Sequence, residues 1–367
     1  MGAYILRRLL LVIPTLIGVM VINFTLVQFV PGGPIEQIIA DMQGQGDVTR
    51  GFTGSGGDDA ARGAAAAPAG TERYIGARGL PPAFIAQLER EFGFDKPPLQ
   101  RFLDMMWNYM RFDFGTSYFT SKTVVQLIVE RMPVSISLGL WSTLIAYVVS
   151  IPLGIRKAVR DGTPFDTWTS GAIIVGYAIP GFLFAILLLV LFAGGSYWQW
   201  FPSRGLHSEA DVWNAMTWPQ RILDYAHHMI LPTIALTISS FATLTLLTKN
   251  SFLDELRKHY VMTARAKGLV ERRVLYGHVF RNAMLIVIAG FPAVFIGAFF
   301  GGSLIIETVF SLDGLGKLFF EAAVARDYPV IFGTLFIFTL VGLLVGILSD
   351  LMYVWIDPRI DFETRGG

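Results

Sequence analysis

One fragment of the sequence comes close to a phosphate-binding loop. Its residues, Gly314-Leu315-Gly316-Lys317-Leu318, include the glycines and the lysine that cradle nucleotide phosphates. The loop of nucleotide hydrolases needs a further glycine where this chain has Ser311, and a serine or threonine where it has Leu318. We therefore interpret the fragment as a turn with a glycine in an unusual φ, and we predict no ATP site on this chain.

Side chains that could bind a metal or act as nucleophiles are sparse. The chain has five histidines and no cysteine, which excludes thiolate metal sites, disulfides and thiol catalysis. His227 and His228 are adjacent, whereas a metal-binding pair on one helix face is spaced by three or four residues. We predict no catalytic residue, no metal and no cofactor bound by this chain. A net charge of +1 gives no basic signature for nucleic acid.

The composition indicates a membrane protein. Of 367 residues, 53% are hydrophobic and 16% are charged, whereas soluble domains carry about 25% charged residues. Six apolar runs approach the roughly 20 residues that a spanning helix needs. They cover residues 9–30, 134–155, 168–193, 229–247, 283–306 and 330–355. The sequence therefore predicts an all-α integral membrane protein with six transmembrane helices.

Ionisable residues are nearly absent from these runs. Asp350 lies near the end of the last run, where we expect a neighbouring helix or the membrane interface to satisfy it. Ion-coupled carriers and channels usually keep charges inside their spans, so this pattern argues against them. A carrier or channel that works without an ATPase stays as the alternative. A structural membrane scaffold is a third class.

Basic residues predict the orientation, because cytoplasmic loops carry an excess of Lys and Arg. Arg7 and Arg8 flank the first run, three basic residues follow the second, and eight lie in 249–281. Both termini are therefore predicted to be cytoplasmic, in a bacterial inner membrane. The predicted regions are 1–30 with the first span, 31–133 in the periplasm, 134–355 as the core with spans two to six, and 356–367 as a cytoplasmic tail.

The periplasmic region is predicted to be a helical insertion. Residues 44–70 are rich in Gly and Ala and cannot bury enough apolar area to become ordered, so we expect this part to be flexible. Amphipathic helices are predicted at 81–92 and 102–110. Aromatic residues that we expect near the outer membrane face are Tyr197, Trp198, Trp200, Phe201, Trp213 and Trp218.

The segment 249–281 has the most informative pattern. Phe252, Leu256, Tyr260 and Ala264 recur every four residues and predict an amphipathic helix. Gly268 is predicted to end it in a left-handed conformation, and a second helix follows. Such a rigid element could dock into a groove on a partner protein, or it could pack on lipid headgroups. The residues alone leave both open.

Motifs along nearly the whole chain resemble bacterial ABC importer permeases of the oligopeptide/dipeptide/nickel class. They are Arg8, Pro14-Thr15, Pro31-Gly32, Phe112-Asp-Phe-Gly-Thr-Ser117, Ser150-Ile-Pro-Leu-Gly154, Thr263-Ala-Arg-Ala-Lys-Gly268-Leu, His278-Val-Phe-Arg-Asn-Ala283, Glu307-Thr-Val-Phe, Gly314-Leu-Gly316, Arg326-Asp-Tyr-Pro329 and Asp357-Pro-Arg-Ile360. The insertion and the 248–255 stretch are similar to the B-type membrane subunits of Yej peptide importers. Where the wider superfamily has Glu-Ala-Ala, this chain has Met262-Thr263-Ala264.

The resemblance implies the fold of a type I importer permease and its partners. These would be a second homologous permease, cytoplasmic ABC ATPase subunits that bind ATP and Mg, a periplasmic peptide-binding protein and the lipid bilayer. The ATPase-coupling loop would comprise Thr263, Ala264, Arg265, Ala266, Lys267, Gly268, Leu269, Val270 and Val274. Residues that would lie near a pore mouth are Glu307, Phe310, Gly314, Gly316, Arg326 and Asp327. The chain would carry oligopeptides, microcin-type peptides or muropeptides into the cytoplasm.

Overall fold

The computed structural model describes residues 2–29, 34–35, 38, 86, 89–90, 93–195, 197–300 and 304–356. Within these residues the chain is helical, and the only strand-type pairing there is an isolated bridge between Thr116 and Thr123. The predictions for 44–70, for most of the helix at 81–92 and for the tail after 356 lie outside the described residues.

The described helices are numbered in chain order. Their bounds are α1 Gly2–Phe29, α2 Pro98–Tyr109, α3 Val124–Val159, α4 Pro164–Ala178, α5 Gly181–Phe192, α6 Ala210–Ala215, α7 Trp218–Leu256, α8 His259–Ala266, α9 Glu271–Val274, α10 Phe280–Ala283, α11 Leu285–Phe300, α12 Leu304–Val309, α13 Leu315–Ala325 and α14 Tyr328–Ile356. A π-helical turn, Leu275–Val279, joins α9 to α10.

Three helices are each long and apolar enough to cross a bilayer, namely α1, α3 and α14. Two bent pairs raise the count in the described residues to five if each pair forms one span. The first pair is α4 with α5, bent by 94° at Pro180, a residue that has no N–H to continue the helical hydrogen bonds. The second lies within α7, where Trp218–Ile238 and Ser240–Leu256 are bent by 52°.

The remaining predicted span, 283–306, is interrupted. Its described core is α11, which has 16 residues, and residues 301–303 lie outside the description. At 1.5 Å per residue, α11 is about 24 Å long, somewhat shorter than the hydrocarbon core of a bilayer.

The chain divides into two compact units. The first contains residues 1–11, 130–317 and 340–367. One of its cores packs α3, α5, α7 and α12 around buried residues that include Ala185, Ala235 and Phe310. Its other core packs the end of α3 and of α7 against α8 to α11, around Phe252, Val261 and Val279.

The second unit contains residues 12–129 and 318–339. Its core is aromatic, with Tyr109 and Phe114 each packed on Phe336 at ring-centroid distances of 5.5 and 5.6 Å. Gly333 permits close packing there, because a Cβ at this position would lie 2.8 Å from a methyl group of Val124. The predicted helix at 102–110 is confirmed as part of α2.

Asp350, the acidic residue expected near the end of the last span, is satisfied by a neighbouring helix. The hydroxyl of Tyr4 donates to its Oδ2 at 3.0 Å, and the Arg8 guanidinium lies 2.9 Å from the same oxygen. All three residues belong to the first unit. The ends of α1 and α14 are therefore joined by an ion pair, which is one of the two outcomes that the sequence left open.

Two helix backbones of the first unit approach closely at Gly154 of α3. A Cβ added there would lie 2.6 Å from Thr248 Cβ and 2.8 Å from the carbonyl oxygen of Thr245, both on α7. Real Cβ atoms do not come so close to backbone atoms, so the absence of a side chain permits α3 and α7 to touch.

We predict that Gly154→Ala destabilises the protein by about 1–3 kcal/mol, the usual range for overpacking. Gly171→Ala on α4 is the matched control, since a Cβ there has no neighbour within 4 Å. Both variants gain the same intrinsic helix propensity, so their difference isolates the collision. Denaturant unfolding of the purified protein in mild detergent measures it, and equal stabilities of the two variants would contradict the packing described.

Candidate functional site

The 249–281 segment folds as a series of short helices rather than as two. The predicted first helix is wrong in one respect, since α7 ends at Leu256 and α8 begins at His259. Lys258 is extended at the break, with φ −75° and ψ 149°. The buried carboxylate of Glu255 accepts hydrogen bonds from Lys258 Nζ and from the Tyr260 hydroxyl, which ties the two helix ends together.

The break leaves the predicted apolar face intact. Phe252 and Val261 are fully buried and Ala264 is 8% exposed, in one core with the end of α3 and the start of α11. Leu256 and Tyr260 pack against the same core. The four-residue spacing therefore identified the buried face correctly.

Gly268 ends α8 as predicted. Its φ is +78°, its N–H donates to the Arg265 carbonyl at 2.9 Å, and the Leu269 N–H donates to the Ala264 carbonyl at 3.3 Å. This pair of hydrogen bonds is a Schellman motif, which satisfies carbonyl groups that the helix end leaves without partners. Leu269 packs on the core beside Ala264. The turn is thus fixed by its backbone and by burial together.

The predicted loop residues divide into a buried and an exposed set. Ala264 and Val274 are buried, and Leu269 is half-buried. The exposed set, which we call the ridge, comprises Thr263, Arg265, Ala266, Lys267, Gly268 and Val270. Arg265 donates to both carboxylate oxygens of Glu271, at 2.6 and 3.1 Å, across the turn that contains Gly268. This hydrogen bonding lowers the pKa of Glu271, so the pair stays charged at neutral pH.

A π-helical turn supports the other end of the ridge. Leu275 and Val279 at its two ends are buried, and Val279 is fully so. Single π-turns inside helices occur often at functional sites. Since the cores below α8 and below this turn are continuous, the ridge is held as one piece with α7 and α11.

A buried group of charges, which we call the charge cluster, joins three helices of the same unit. It comprises Lys157 of α3, Asp166 of α4, Lys249 of α7 and Asp161 of the α3–α4 turn. Lys157 Nζ lies 3.0 Å from Asp166 Oδ1, and Lys249 Nζ lies 2.7 Å from Asp166 Oδ2. Lys249 also pairs with the half-exposed Asp161 at 2.9 Å. One carboxylate therefore bridges two ammonium groups.

Lys157 has no solvent exposure and a complete set of acceptors. Its Nζ donates to the hydroxyls of Thr169 and Ser170 at 2.7 and 2.8 Å and to the Asp166 carbonyl at 2.9 Å. A buried charge is tolerated only when it is paired and hydrogen-bonded in this way. The sequence alone does not predict the cluster, because Lys157 and Lys249 fit the pattern of surface charges that set orientation. The signal that could have found it is Asp166, an acidic residue two positions before an apolar run.

The residues predicted near a pore mouth divide between the two units. Glu307, Phe310, Gly314 and Gly316 lie together in the first unit, on α12, on the turn that follows it and at the start of α13. Glu307 and Phe310 are buried. The Glu307 Oε2 accepts the Lys317 N–H at 2.7 Å, and the Gly316 N–H also donates to this carboxylate. The fragment that resembles a phosphate loop is thus a turn and a helix start that surround a carboxylate. The predicted turn is confirmed, but the predicted unusual φ of its glycine is wrong, because the residue with a positive φ in this turn is Ser311, at +49°.

Gly314 is required by that carboxylate. A Cβ at Gly314 would lie 2.5 Å from the Glu307 Cδ. Ser135 of α3 accepts the Leu315 N–H at 2.8 Å, and Asp313 pairs with both Arg131 and Lys317, at 3.1 and 2.8 Å. Burial raises the pKa of Glu307 above its ordinary value.

Arg326 and Asp327 lie in the second unit, between α13 and α14. Arg326 has a φ of +59°, and the Asp327 carboxylate accepts hydrogen bonds from the Ser117 hydroxyl and from the Tyr118 N–H. Asp327 is 4% exposed, and burial raises its pKa. The carboxylate therefore joins the start of α14 to the turn before α3.

Comparison with known proteins gave matches over the full chain. A family model described as "Binding-protein-dependent transport system inner membrane component" matches residues 150–362. The "Peptidoglycan transport system permease protein YejB" of Agrobacterium fabrum is 63% identical over 365 residues, covering 100% of each chain. The "Inner membrane ABC transporter permease protein YejB" of Escherichia coli O157:H7 is 58% identical over 369 residues, also covering 100% of each. The "Oligopeptide transport system permease protein AppB" of Bacillus subtilis is 33% identical over 363 residues, covering 99% of this chain and 100% of that protein.

We predict that Asp166→Asn destabilises the protein by about 3–5 kcal/mol, because it leaves the buried Lys157 without its counter-charge. Asp161→Asn is the matched control. Its side chain is 43% exposed, and exposed ion pairs contribute at most about 1 kcal/mol. Unfolding curves of the two purified variants measure their free energies of unfolding. If Asp166→Asn is as stable as Asp161→Asn, the bridging role is refuted.

Proposed function

Because the chain belongs to the family of binding-protein-dependent transport system inner membrane components, we propose that it is the membrane permease subunit of an ATP-driven importer that moves peptides into the cytoplasm. The resemblance inferred from the motifs is confirmed by these matches. The observation that carries the proposal is the ridge, an exposed turn mounted on a buried core that continues into two apolar helices.

The chain is a multi-pass protein of the inner membrane, and we propose six spans. Three of them are the long helices α1, α3 and α14, and two more are the bent pair α4–α5 and the bent helix α7. The sixth would be α11 with the residues that follow it. Both termini would be cytoplasmic, as the excess of Lys and Arg in 249–281 favours.

The ridge is the surface we propose for docking of a cytoplasmic ATPase subunit. Arg265, Ala266, Lys267, Gly268 and Val270 are exposed and would make the contact, whereas Ala264 and Val274 would hold the surface from below. The chain itself would hydrolyse nothing, and ATP and Mg would bind to the ATPase. A second, homologous permease would form the other half of the pore.

Coupling would then be mechanical. When ATP binding closes the ATPase pair, the ridge would move with its core, and α7 and α11 would move with it. The charge cluster would carry the same displacement to α3 and α4, because one carboxylate binds Lys157 and Lys249 together. Well-packed interiors switch between discrete arrangements rather than deform continuously, which suits alternating access.

The turn after α12 would border the substrate path. Glu307 and Gly314 would shape its backbone from inside, so the residues that reach the peptide would be exposed ones such as Ser311 and Asp313. We propose that Arg326 and Asp327, which belong to the second unit, also border the substrate path. A peptide-binding protein in the periplasm would determine which peptide is delivered.

The cargo we propose is a peptide of the oligopeptide, microcin or cell-wall class. The relatives above are named for peptidoglycan and for oligopeptide transport, and a path bordered by backbone turns suits varied peptides. The cell-wall class has the additional support of the 63% identical relative.

The test is co-purification in mild detergent from a host that expresses the neighbouring genes, followed by mass spectrometry, ATPase assay and uptake of a labelled, photoreactive peptide into proteoliposomes. We expect a second permease and ATPase subunits to co-purify, uptake to need ATP, and peptide crosslinks to reach residues 307–329. A chain that purifies alone and conducts solute without ATP would replace this function with a carrier or channel. Crosslinks only elsewhere would remove the pore-mouth assignment.

We predict that Gly268→Val uncouples ATP hydrolysis from uptake. Valine at φ +78° costs about 1–2 kcal/mol and would displace the ridge from its core. We expect peptide imported per ATP hydrolysed to fall by about tenfold, the factor that corresponds to this free energy.

Gly268→Asn is the matched control, since asparagine adopts the left-handed conformation far more readily than valine. A Cβ at this position has no neighbour within 4 Å, so the two variants differ mainly in backbone strain. Normal uptake per ATP by Gly268→Val at wild-type expression would refute the coupling role of the turn.

A further inference from the structure

An apolar groove lies on the first unit, apart from the ridge and the charge cluster. Its volume is about 610 Å³, within the range of small-molecule sites. Side chains of α3, α6 and α7 line it, namely Trp141, Ile145, Trp213, Trp218, Arg221, Ile222, Tyr225, Ala226, Met229, Ile230, Thr233 and Ile234. Several of these are largely exposed, and Trp218 is 77% exposed.

The groove is charged at one end only. Arg221 is the only charged residue among the described ones that line it, and Trp213 and Trp218 flank it at that end. The Arg221 side chain is held in place, because its Nε donates to the Trp213 carbonyl at 3.1 Å and its Nη2 to the Asn214 carbonyl at 3.2 Å. The nearby carboxylate of Asp224 accepts from Ser208 instead, at 2.5 and 2.8 Å.

The other end is lined by Met229, Ile230 and Ile234 of α7, with Thr233 among them. From Trp218 to Ile234 the helix rises by about 24 Å, at 1.5 Å per residue. One leaflet of a bilayer is about 20–22 Å thick with its headgroups. The groove therefore has the length of a single leaflet, with its cation and tryptophans at the end where headgroups lie and its aliphatic end toward the bilayer centre.

We propose that this groove binds one phospholipid, with the phosphate on Arg221 and an acyl chain along α7 as far as Ile234. The proposal rests on the membrane placement given under the proposed function. An arginine beside tryptophans is suited to a phosphate at the membrane interface. A helix of a second permease would be expected to continue across both leaflets, and it would bring no requirement for a cation at one end.

The floor of the groove explains why a lipid chain would be held rather than exchange with the surrounding bilayer. The Trp141 indole donates to the Tyr225 hydroxyl at 2.9 Å, which closes the gap between α3 and α7 with a pair of rings. The chain in the groove would thus contact both helices, whereas a lipid on α4 meets one exposed face that includes Ile174 and Val175. A bound lipid would brace the pair of helices that meet at Gly154.

The test uses the assembled transporter in nanodiscs of phosphatidylethanolamine and phosphatidylglycerol, doped with a phospholipid that carries a photoreactive group on its acyl chain. After washing and illumination, mass spectrometry maps the label on this chain. We expect stronger labelling along 218–234 than at Ile174 and Val175 on the exposed face of α4, which report ordinary surrounding lipid.

Two variants decide the assignment independently. Arg221→Gln removes a charge-assisted hydrogen bond and should lower groove labelling by about tenfold, and Ala226→Trp should do the same by filling the groove. Labelling of α4 should not change. Arg204→Gln is the matched control, because Arg204 is exposed and does not line the groove.

Two results would overturn the proposal. The first is that residues 218–234 are labelled no more strongly than the exposed face of α4, and that neither variant changes this labelling. The other is a crosslink from Ala226→Cys, a unique thiol in a chain that has no cysteine, to the second permease at high yield. Peptide uptake is measured on the same preparation, so a transporter that binds lipid without importing peptide separates this proposal from the proposed function.

Discussion

Lys157 places a positive charge where its side chain has no contact with solvent, and the arrangement of three helices follows from satisfying it. Its ammonium group needs a counter-charge and acceptors, and both come from the first turns of α4. The same carboxylate, Asp166, also binds Lys249. The position at which α4 begins and the position at which α7 passes α3 are therefore linked by one side chain. Gly154 lies one turn before Lys157 on α3 and removes the side chain that would hold α7 away.

The motifs that mark this family along the sequence meet in pairs in the fold. The stretch that ends at Gly154 contacts α7 at Thr248, next to Lys249. Glu307 accepts hydrogen bonds from the turn that contains Gly314, and Asp327 accepts from Ser117 and Tyr118. In each pair one segment contributes a carboxylate or a bulky side chain. The other segment contributes a glycine or a hydrogen-bond donor. Motifs of this kind hold segments of the fold together, and their residues need not touch substrate.

Much of the fold could be predicted because apolar runs and i, i+4 spacing are local signals. They placed α1, α3 and α14 and the buried face below the ridge, and the glycine rule placed the turn at Gly268. The bend at Pro180 and the break before His259 escaped prediction, because both lie inside patterns that read as continuous helix. The partition of the loop into Ala264 inside and Val270 outside depends on tertiary packing, which composition does not encode.

Lys157 and Lys249 show most clearly why the charge cluster could not be predicted from the sequence. Basic residues near the ends of spans are usually surface charges, because cytoplasmic loops face water and lipid headgroups. Lys157 and Lys249 obey the rule in position yet bind an internal carboxylate. A buried lysine costs desolvation energy, and this cost is offset only where the paired geometry is kept. Under the proposed mechanism, α3, α4 and α7 would therefore move as one body, and the change between inward-facing and outward-facing states would occur at interfaces without buried ion pairs.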